Sequence, residues 1–465
     1  MNYLRLLWEL YQSKRNTTKT REQILAIQEK KLRKMLHFAY ENSKFYRRTF
    51  EAAGITVEKL DTLPLSSFPA IDKSILLKHF DELITVSDLK QEELRQFDAE
   101  ERIDRKPYKG KYHVVHSSGS TGRPGYFVYD EADWNSMLIG LIRAALWDMS
   151  MTQILHFLIK GPRIVYIAAT DGRYGGAMAV GDGIDGVHAN QLYLDIKTPL
   201  AEWVNKIKEF KPNMIIGYPS AIKILGELVE KGEIEADILR IVSCGEPLGA
   251  SLRNYLEEVF HAQVTNFYGA SESLALGVEN NHEKGMMLFD DMNVIEIENG
   301  TMYLTCLYNF TQPLIRYRLS DNLTLQEPDG KNGYQFTKAV GLLGRNEDIL
   351  WFEDGNGKRE FLHPLAVEGI CIEGLKDYQF RQVSKDTFEM SAEVSEMASK
   401  DTIRAEILEQ MRNILEEKKL GYVQFYVDFV DEIMPDLQTG KKRLVVKEND
   451  KRYIEMPVDE GRRAG

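Results

Sequence analysis

NMIIGYPSAIKILGELVEKGEIEADILRIVSCGEPLGASLRNYLEEVFHAQVTNF, residues 213–267, alternates two kinds of segment. NMIIGY, LRIVSC and QVTNF are apolar runs too short for helices. Between them, SAIKILGELVEKG and ASLRNYLEEVF carry their apolar residues at helical spacing. Strand, helix, strand, helix, strand predicts βαβ units, which give a largely parallel sheet with helices on its faces. Upstream, RIVYIAA (163–169) adds a strand and PLAEWVNKIKEF a helix of the same kind.

Residues 1–100 read as mostly helical, with few Gly, and Pro64 and Pro69 punctuate a loop between two helical blocks. Leu4, Leu7, Trp8 and Tyr11 recur at helical spacing and mark an amphipathic helix expected to dock on the body of the protein. After about residue 340 the pattern restarts on a smaller scale. ILWFE, YQFRQV, FEMSAEV and YVQFYVDFV read as strands, with helical stretches near 363–371 and 400–418. The expected class is α/β. A large N-terminal domain, 1–345, has mostly parallel sheets flanked by helices; a small C-terminal α/β domain follows, 346–465.

Composition excludes several function classes. Of the 465 residues, 43% are hydrophobic and 28% charged, as in an ordinary globular chain. Lys and Arg total 59 against 71 Asp and Glu, a net charge of −12 that repels phosphate backbones, so nucleic acid is not an expected partner. Cys244, Cys306 and Cys371 are scattered and odd in number, which fits a reducing cytoplasm and gives no disulfide framework. The start, MNYLRLLWELYQSKRN, is too charged for a signal peptide. MLIGLIRAALW contains Arg143 and is too short to span a bilayer, so no transmembrane segment is expected.

HSSGSTGRPG, His116 to Gly125, is the stretch richest in chemistry. Its glycines leave backbone N–H groups exposed, and Ser117, Ser118, Ser120 and Thr121 add donors. Such a loop can replace the hydration shell of a polyphosphate. On composition alone, a flexible Ser/Gly turn explains it equally well, and a Walker A loop is ruled out by the missing Gly-Lys-Ser/Thr.

The loop resembles the phosphate-binding loop of the acyl-adenylate-forming (AMP-binding) superfamily, with Ser118, Gly119, Ser120, Thr121, Gly122 and Pro124 matching and Arg123 standing where Lys is common. Further segments follow in that family's order: GEPL (Gly245, Glu246, Pro247, Leu248), NFYGASES (266–273), IRYRLSD (315–321), GRNEDIL (344–350) and TGKKR (439–443). The ordered set is far more specific than any member. QEKKLRKMLHFAYENSKFYRRTFEAAGI, GYPSAIKILGEL and LYNFTQPLIRYRLSD resemble the phenylacetate–coenzyme A ligase and capsular-polysaccharide-type branch. Ser320 departs from the Gly that commonly precedes the motif's Asp. His282 stands without cysteines where relatives can carry a zinc cluster.

The resemblance implies ATP-dependent activation of a small-molecule carboxylate to an acyl-AMP, with pyrophosphate released, then transfer to a thiol. Coenzyme A is the expected acceptor; a carrier-protein thiol, an amine or a hydroxyl remain alternatives, as does a nucleotide-binding homologue without turnover. It implies that the site lies within 112–345, that the small domain is mobile, and that a homodimer is the oligomer to expect. Glu272 holds Mg2+, a cation that prefers oxygen ligands. Tyr268 and Gly269 border the adenine with Gly245, Glu246 and Pro247, and Asp321 binds the ribose. Arg345 is the hinge, and Lys441 brings a mobile positive charge to the reacting oxygens. Tyr174, Tyr218 and Phe267 fall near segments that border an acyl pocket.

Three other features read as structural. GDGIDG (181–186) formally matches a dinucleotide fingerprint, but VHANQLYLDI after it reads as extended, where the fingerprint needs a helix. The cluster Arg102, Arg105, Lys106, Lys109 and Lys111 reads as a solvated charged loop, and His116 as a structural histidine.

Overall fold

The computed structural model describes residues 3–99, 107–117, 124–147, 149–150, 152–153, 161–168, 170, 178–179, 190–245, 248, 250–279, 285–319, 321–328, 333–343, 350–354, 356–362, 366–367, 370, 372–394, 398–431, 433 and 445–447. Described residues up to 343, apart from 197–200, form one compact unit; 197–200 and those from 350 onward form a second.

The first unit opens with five helices, α1 (Tyr3–Asn16), α2 (Arg21–Asn42), α3 (Lys44–Ala52), α4 (Lys73–Leu83) and α5 (Gln91–Asp98). A capping box starts α2: the Thr20 side chain accepts from the Gln23 N–H, and the Gln23 side chain accepts from the Thr20 N–H. Its buried stripe, Ile24, Leu32, Met35, Leu36 and Ala39, keeps helical spacing.

The chain continues through β1 (Tyr112–His116), β2 (Tyr126–Asp130), α6 (Glu131–Ala145), β3 (Arg163–Ala168), β4 (Asn190–Asp195), α7 (Leu200–Phe210), β5 (Met214–Gly217), α8 (Pro219–Glu230), β6 (Arg240–Cys244) and α9 (Ala250–Phe260). Then come β7 (Val264–Ala270), β8 (Ser273–Glu279), β9 (Met286–Leu288), β10 (Asn293–Glu298), β11 (Thr301–Cys306), β12 (Tyr317–Leu319), β13 (Asn322–Gln326) and β14 (Lys338–Leu343).

Nine strands form one sheet in the order β13-β14-β9-β8-β7-β6-β5-β3-β4. From β7 to β4 every pairing is parallel, as the opening stretch predicts. Val165 to Ala168 on β3 and Arg240 to Ser243 on β6 are buried, as strands covered on both faces must be. From β7 to β13 the sheet turns antiparallel. The cause is local: only Ser271 and Glu272 separate β7 from β8, and so short a link permits only an antiparallel return.

As expected, α1 docks on the body of the protein, packing against α6, although its Trp8 and Tyr11 are 60% and 59% exposed. Its C-terminal end is also held by polar groups. Asp291 accepts from Asn16 Nδ2 at 2.7 Å and from both terminal nitrogens of Arg143 at 2.7 and 3.0 Å. Arg143, the charge that interrupts MLIGLIRAALW, is therefore one half of a buried ion pair. Removing one partner of such a pair costs about 3–5 kcal/mol.

The other N-terminal helices and their loops support the segment leading to Asp321. Thr85 N donates to Thr311 O at 3.1 Å; Ile71 N donates to Arg316 O at 3.1 Å, and Arg318 N donates back to Ile71 O at 2.8 Å. The Tyr46 hydroxyl donates to Pro313 O at 2.9 Å and accepts from Ile315 N at 3.1 Å.

The second unit contains β15 (Leu350–Glu353), β16 (Arg359–Leu362), β17 (Leu375–Gln382), β18 (Thr387–Val394), α10 (Lys400–Glu417), β19 (Gln424–Val430) and β20 (Val445–Lys447). Its sheet runs β19-β18-β17-β20. The β18–β19 pairing is parallel, so α10 is the crossover that parallel strands require. That helix is capped by Ser399 and buries Ile403, Ile407, Met411 and Leu415 on one side. Of the helix expected near 363–371, the described residues 366–367 are helical.

Candidate functional site

In an open α/β sheet, ligands bind beyond the carboxyl ends of the parallel strands. Here those ends carry the residues singled out by the sequence. Tyr218 follows β5, Gly245 follows β6, and Tyr268 and Gly269 are among the last residues of β7. Glu272 stands in the two-residue turn after β7, and Asp321 immediately precedes β13.

Two glycines are required by geometry. Gly245 has φ +81°, and a Cβ there would lie 2.5 Å from Tyr218 Cε1. The backbone after β6 thus turns into a conformation L side chains rarely adopt, beneath the Tyr218 ring. A Cβ on Gly269 would lie 2.4 Å from Leu274 O, across the hairpin that carries Glu272.

Tyr268 and Asp321 are brought together, the tyrosine hydroxyl donating to Asp321 Oδ2 at 2.8 Å. Burial, with the Asp321 charge beside it, holds the Tyr268 hydroxyl protonated far above the usual tyrosine range. Burial likewise pushes the Glu272 carboxyl up to about 7. The Asp321 charge adds to that rise, while the turn's own N–H, Lys73 and the Tyr317 hydroxyl oppose it by favouring the anion. Tyr317 and Lys73 are additions the motifs did not single out. Tyr317 lies inside the quoted IRYRLSD and could have been noticed; Lys73, far upstream, offers no such signal, although Ile71 bridges to Tyr317.

Ser117 closes the neck of the β1–β2 hairpin. Its N–H donates to Gly125 O at 2.9 Å and its Oγ accepts from Gly125 N at 2.8 Å. That assigns Ser117 a structural bond, whatever else it binds. Ser118, Gly119, Ser120, Thr121 and Gly122 lie outside the described residues, as do Glu246, Pro247, Arg345, Lys441, Tyr174, His282 and GDGIDG. The chain after GDGIDG is extended over Asn190–Asp195, as expected.

His116 Nδ1 lies 3.0 Å from Asp98 Oδ2. Lys109 donates to Glu93 at 2.8 Å and to Asp88 O at 2.6 Å, and Lys111 approaches Asp88 at 3.6 Å. Both lysines therefore read as paired surface charge; Arg102, Arg105 and Lys106 lie outside the described residues.

For a divalent cation, Glu272 and Asp321 supply hard oxygen donors in one place. Among the described residues no group of three or more His, Cys, Asp or Glu gathers as a ligand set. One or two carboxylates without a protein cage suit Mg2+, which takes its remaining ligands from water and phosphate. No described helix is long and apolar enough to cross a membrane.

No family profile matches the chain. It is similar to the phenylacetate–coenzyme A ligase of Thermus thermophilus, 24% identical over 404 residues that cover 82% of this chain and 83% of that one. It is also similar to protein CapK of Staphylococcus aureus, 22% identical over 438 residues covering 91% and 89%. Among solved structures, a 2-hydroxyisobutyryl-CoA ligase in complex with 2-HIB-AMP and CoA shares the fold, with TM-score 0.57, 20% identity and coverage of 93% and 91%.

Proposed function

Because the chain belongs to the AMP-forming adenylate-ligase superfamily, on its phenylacetate–coenzyme A ligase-like branch, we propose that it joins a carboxylic acid to a thiol through an acyl-AMP. In the first half-reaction a carboxylate oxygen attacks the α-phosphorus of ATP, the bond to the bridging oxygen breaks, and pyrophosphate leaves. In the second, a thiol attacks the acyl carbonyl and AMP leaves. Coenzyme A is the acceptor in this reading.

The observation that carries it is the meeting of Tyr268, Asp321 and Glu272 beyond the carboxyl ends of the parallel strands. Attack by one anion on another is limited by repulsion and alignment, so the site must orient both and offset charge. Asp321 accepts from the ribose hydroxyls. The Tyr268 ring covers the adenine while its hydroxyl fixes the aspartate. Glu272, with Asp321 nearby, would hold Mg2+, whose chemistry is to neutralise phosphate oxygens. The buried walls of the turn exclude water that would hydrolyse the adenylate.

Pyrophosphate release measured with ATP and Mg2+ over aryl and aliphatic acids tests the reading. Release confined to certain acids, followed by a thioester when coenzyme A is added, is the expected result. ATP binding without release for any acid would sink the ligase reading; adenylation without a thioester would move the acceptor to a carrier protein, an amine or a hydroxyl.

Tyr268→Phe separates two roles of one residue. The ring stays, but Asp321 loses a donor at 2.8 Å. KM for ATP is expected to rise about three- to tenfold, the size of an ordinary net hydrogen bond, with a larger rise in Tyr268→Ala. Equal effects of Phe and Ala in steady-state kinetics would show that the ring contributes nothing.

A further inference from the structure

The side chain that follows Glu272 is pinned beneath the site. Ser273 is fully buried, and its Oγ donates to Asn293 Oδ1 at 2.9 Å. Asn293 Nδ2 donates to Ala275 O at 2.7 Å. The Tyr308 hydroxyl lies 2.8 Å from the same Ser273 Oγ.

The donors can be ordered by elimination. Asn293 turns its N–H toward Ala275, so its oxygen faces Ser273. The one Ser273 proton goes to that oxygen. Tyr308 is therefore the donor to Ser273, and the chain runs in one direction, from Tyr308 through Ser273 to Asn293.

The turn is also held from above by both strands that flank the phosphate loop. The Tyr129 hydroxyl on β2 reaches Ser271 O and Glu272 O at 3.5 and 3.4 Å. Ser271 Oγ donates to His116 O, on β1, at 3.4 Å. The two supports touch: the Tyr129 and Tyr308 rings stack with centroids 6.5 Å apart and planes 15° apart.

We propose that Tyr308, acting through Ser273 and Asn293, is a positioning residue that fixes the aim of the Glu272 carboxylate beside Asp321. The inference rests on the functional reading above for the role of Glu272. An apolar trio of the same volume would pack this core equally well, because buried hydrogen bonds add little net stability. What a directed, fully satisfied network adds is one orientation. The turn needs it, since two residues carry both the chain reversal and the carboxylate.

The test compares wild type, Tyr308→Phe and Ser273→Ala by calorimetric titration with ATP, with and without Mg2+. Tyr308→Phe keeps the ring and the Ser273–Asn293 bond, so it isolates the lost donor. Mg2+-dependent ATP affinity is expected to fall about three- to tenfold in Tyr308→Phe and further in Ser273→Ala, while metal-free ATP affinity holds. Pyrophosphate release should show the same shift in Mg2+ requirement, a deficit that shrinks as Mg2+ is raised. An unchanged Mg2+ dependence, with melting temperature and rate falling together, would make the network merely structural and overturn the proposal. Wild type that binds Mg2+ and ATP but releases no pyrophosphate would remove the ligase reading, and the calorimetric comparison would still decide the positioning role. Wild-type ATP binding indifferent to Mg2+ would overturn the proposal outright.

Discussion

Lys441→Ala is expected to cut acid-dependent pyrophosphate release by about two to three orders of magnitude, the usual cost of deleting one charge or donor aimed at a reacting phosphoryl or oxyanion. The reason is electrostatic. The acid's carboxylate approaches a phosphate chain that already carries several negative charges, and a compact ammonium on a flexible stem can sit between them. The sequence offers two candidates side by side, Lys441 and Lys442, in TGKKR. The resemblance selects Lys441, so Lys442→Ala serves as the matched control. It has the same net charge change and the same segment, but should lose less than about twofold if it is a solvated surface lysine. The half-reactions separate the role further. Transfer of an acyl group from preformed acyl-AMP to coenzyme A should persist in Lys441→Ala, because that step needs no charge between carboxylate and phosphate. Equal losses in both half-reactions would assign the lysine to folding or general binding. Full adenylation by Lys441→Ala would remove it from the chemistry.

The parallel half of the sheet was legible because each of its strands is a short apolar run bounded by a helical period. NMIIGY, LRIVSC and QVTNF became β5, β6 and β7 with helices where the spacing put them. The antiparallel half was not read, since no helical period separates QVTNF from SLALGVE and the reversal between them depends on a turn of two residues. The candidate site was legible where chemistry is local in sequence: Tyr268, Glu272 and Asp321 sit in motifs, and the structure brings Tyr268 and Asp321 into contact. It was illegible where the partner comes from elsewhere in the chain. Tyr129, Tyr308 and Lys73 look like ordinary core or helix residues until the fold sets them beside the Glu272 turn. The polar anchor of α1 was not legible for a related reason. Periodicity shows that a stripe exists and that the helix docks, but not that Asn16 at its end will bond to a buried aspartate.

Glu272→Gln should affect catalysis and stability in opposite directions. Without metal, the wild-type carboxyl ionises near 7 in the folded protein, against the ordinary 4.5, with burial the main cause. The folded state therefore holds this proton more tightly than the unfolded state. The group's favourable contribution is complete below 4.5 and is lost as pH rises toward 7. Above that, the protein carries a buried anion beside Asp321. Glutamine has nearly the same shape and never ionises. At pH 8 the metal-free variant should thus be more stable than wild type by about 3 kcal/mol, and at pH 4.5 the two should nearly match. Adding ATP and Mg2+ should reverse the order at pH 8: wild type gains by binding, while the variant, lacking an anionic ligand, gains little. Its pyrophosphate release should fall by about a hundredfold or more, as expected when a charge-neutralising group is removed from a phosphoryl-transfer site. Denaturation at the two pH values, with and without Mg2+ and nucleotide, reads all four corners. A variant less stable than wild type at both pH values would mean that Glu272 is a packed structural residue. A variant that matches wild type with Mg2+ present would take the cation away from this carboxylate.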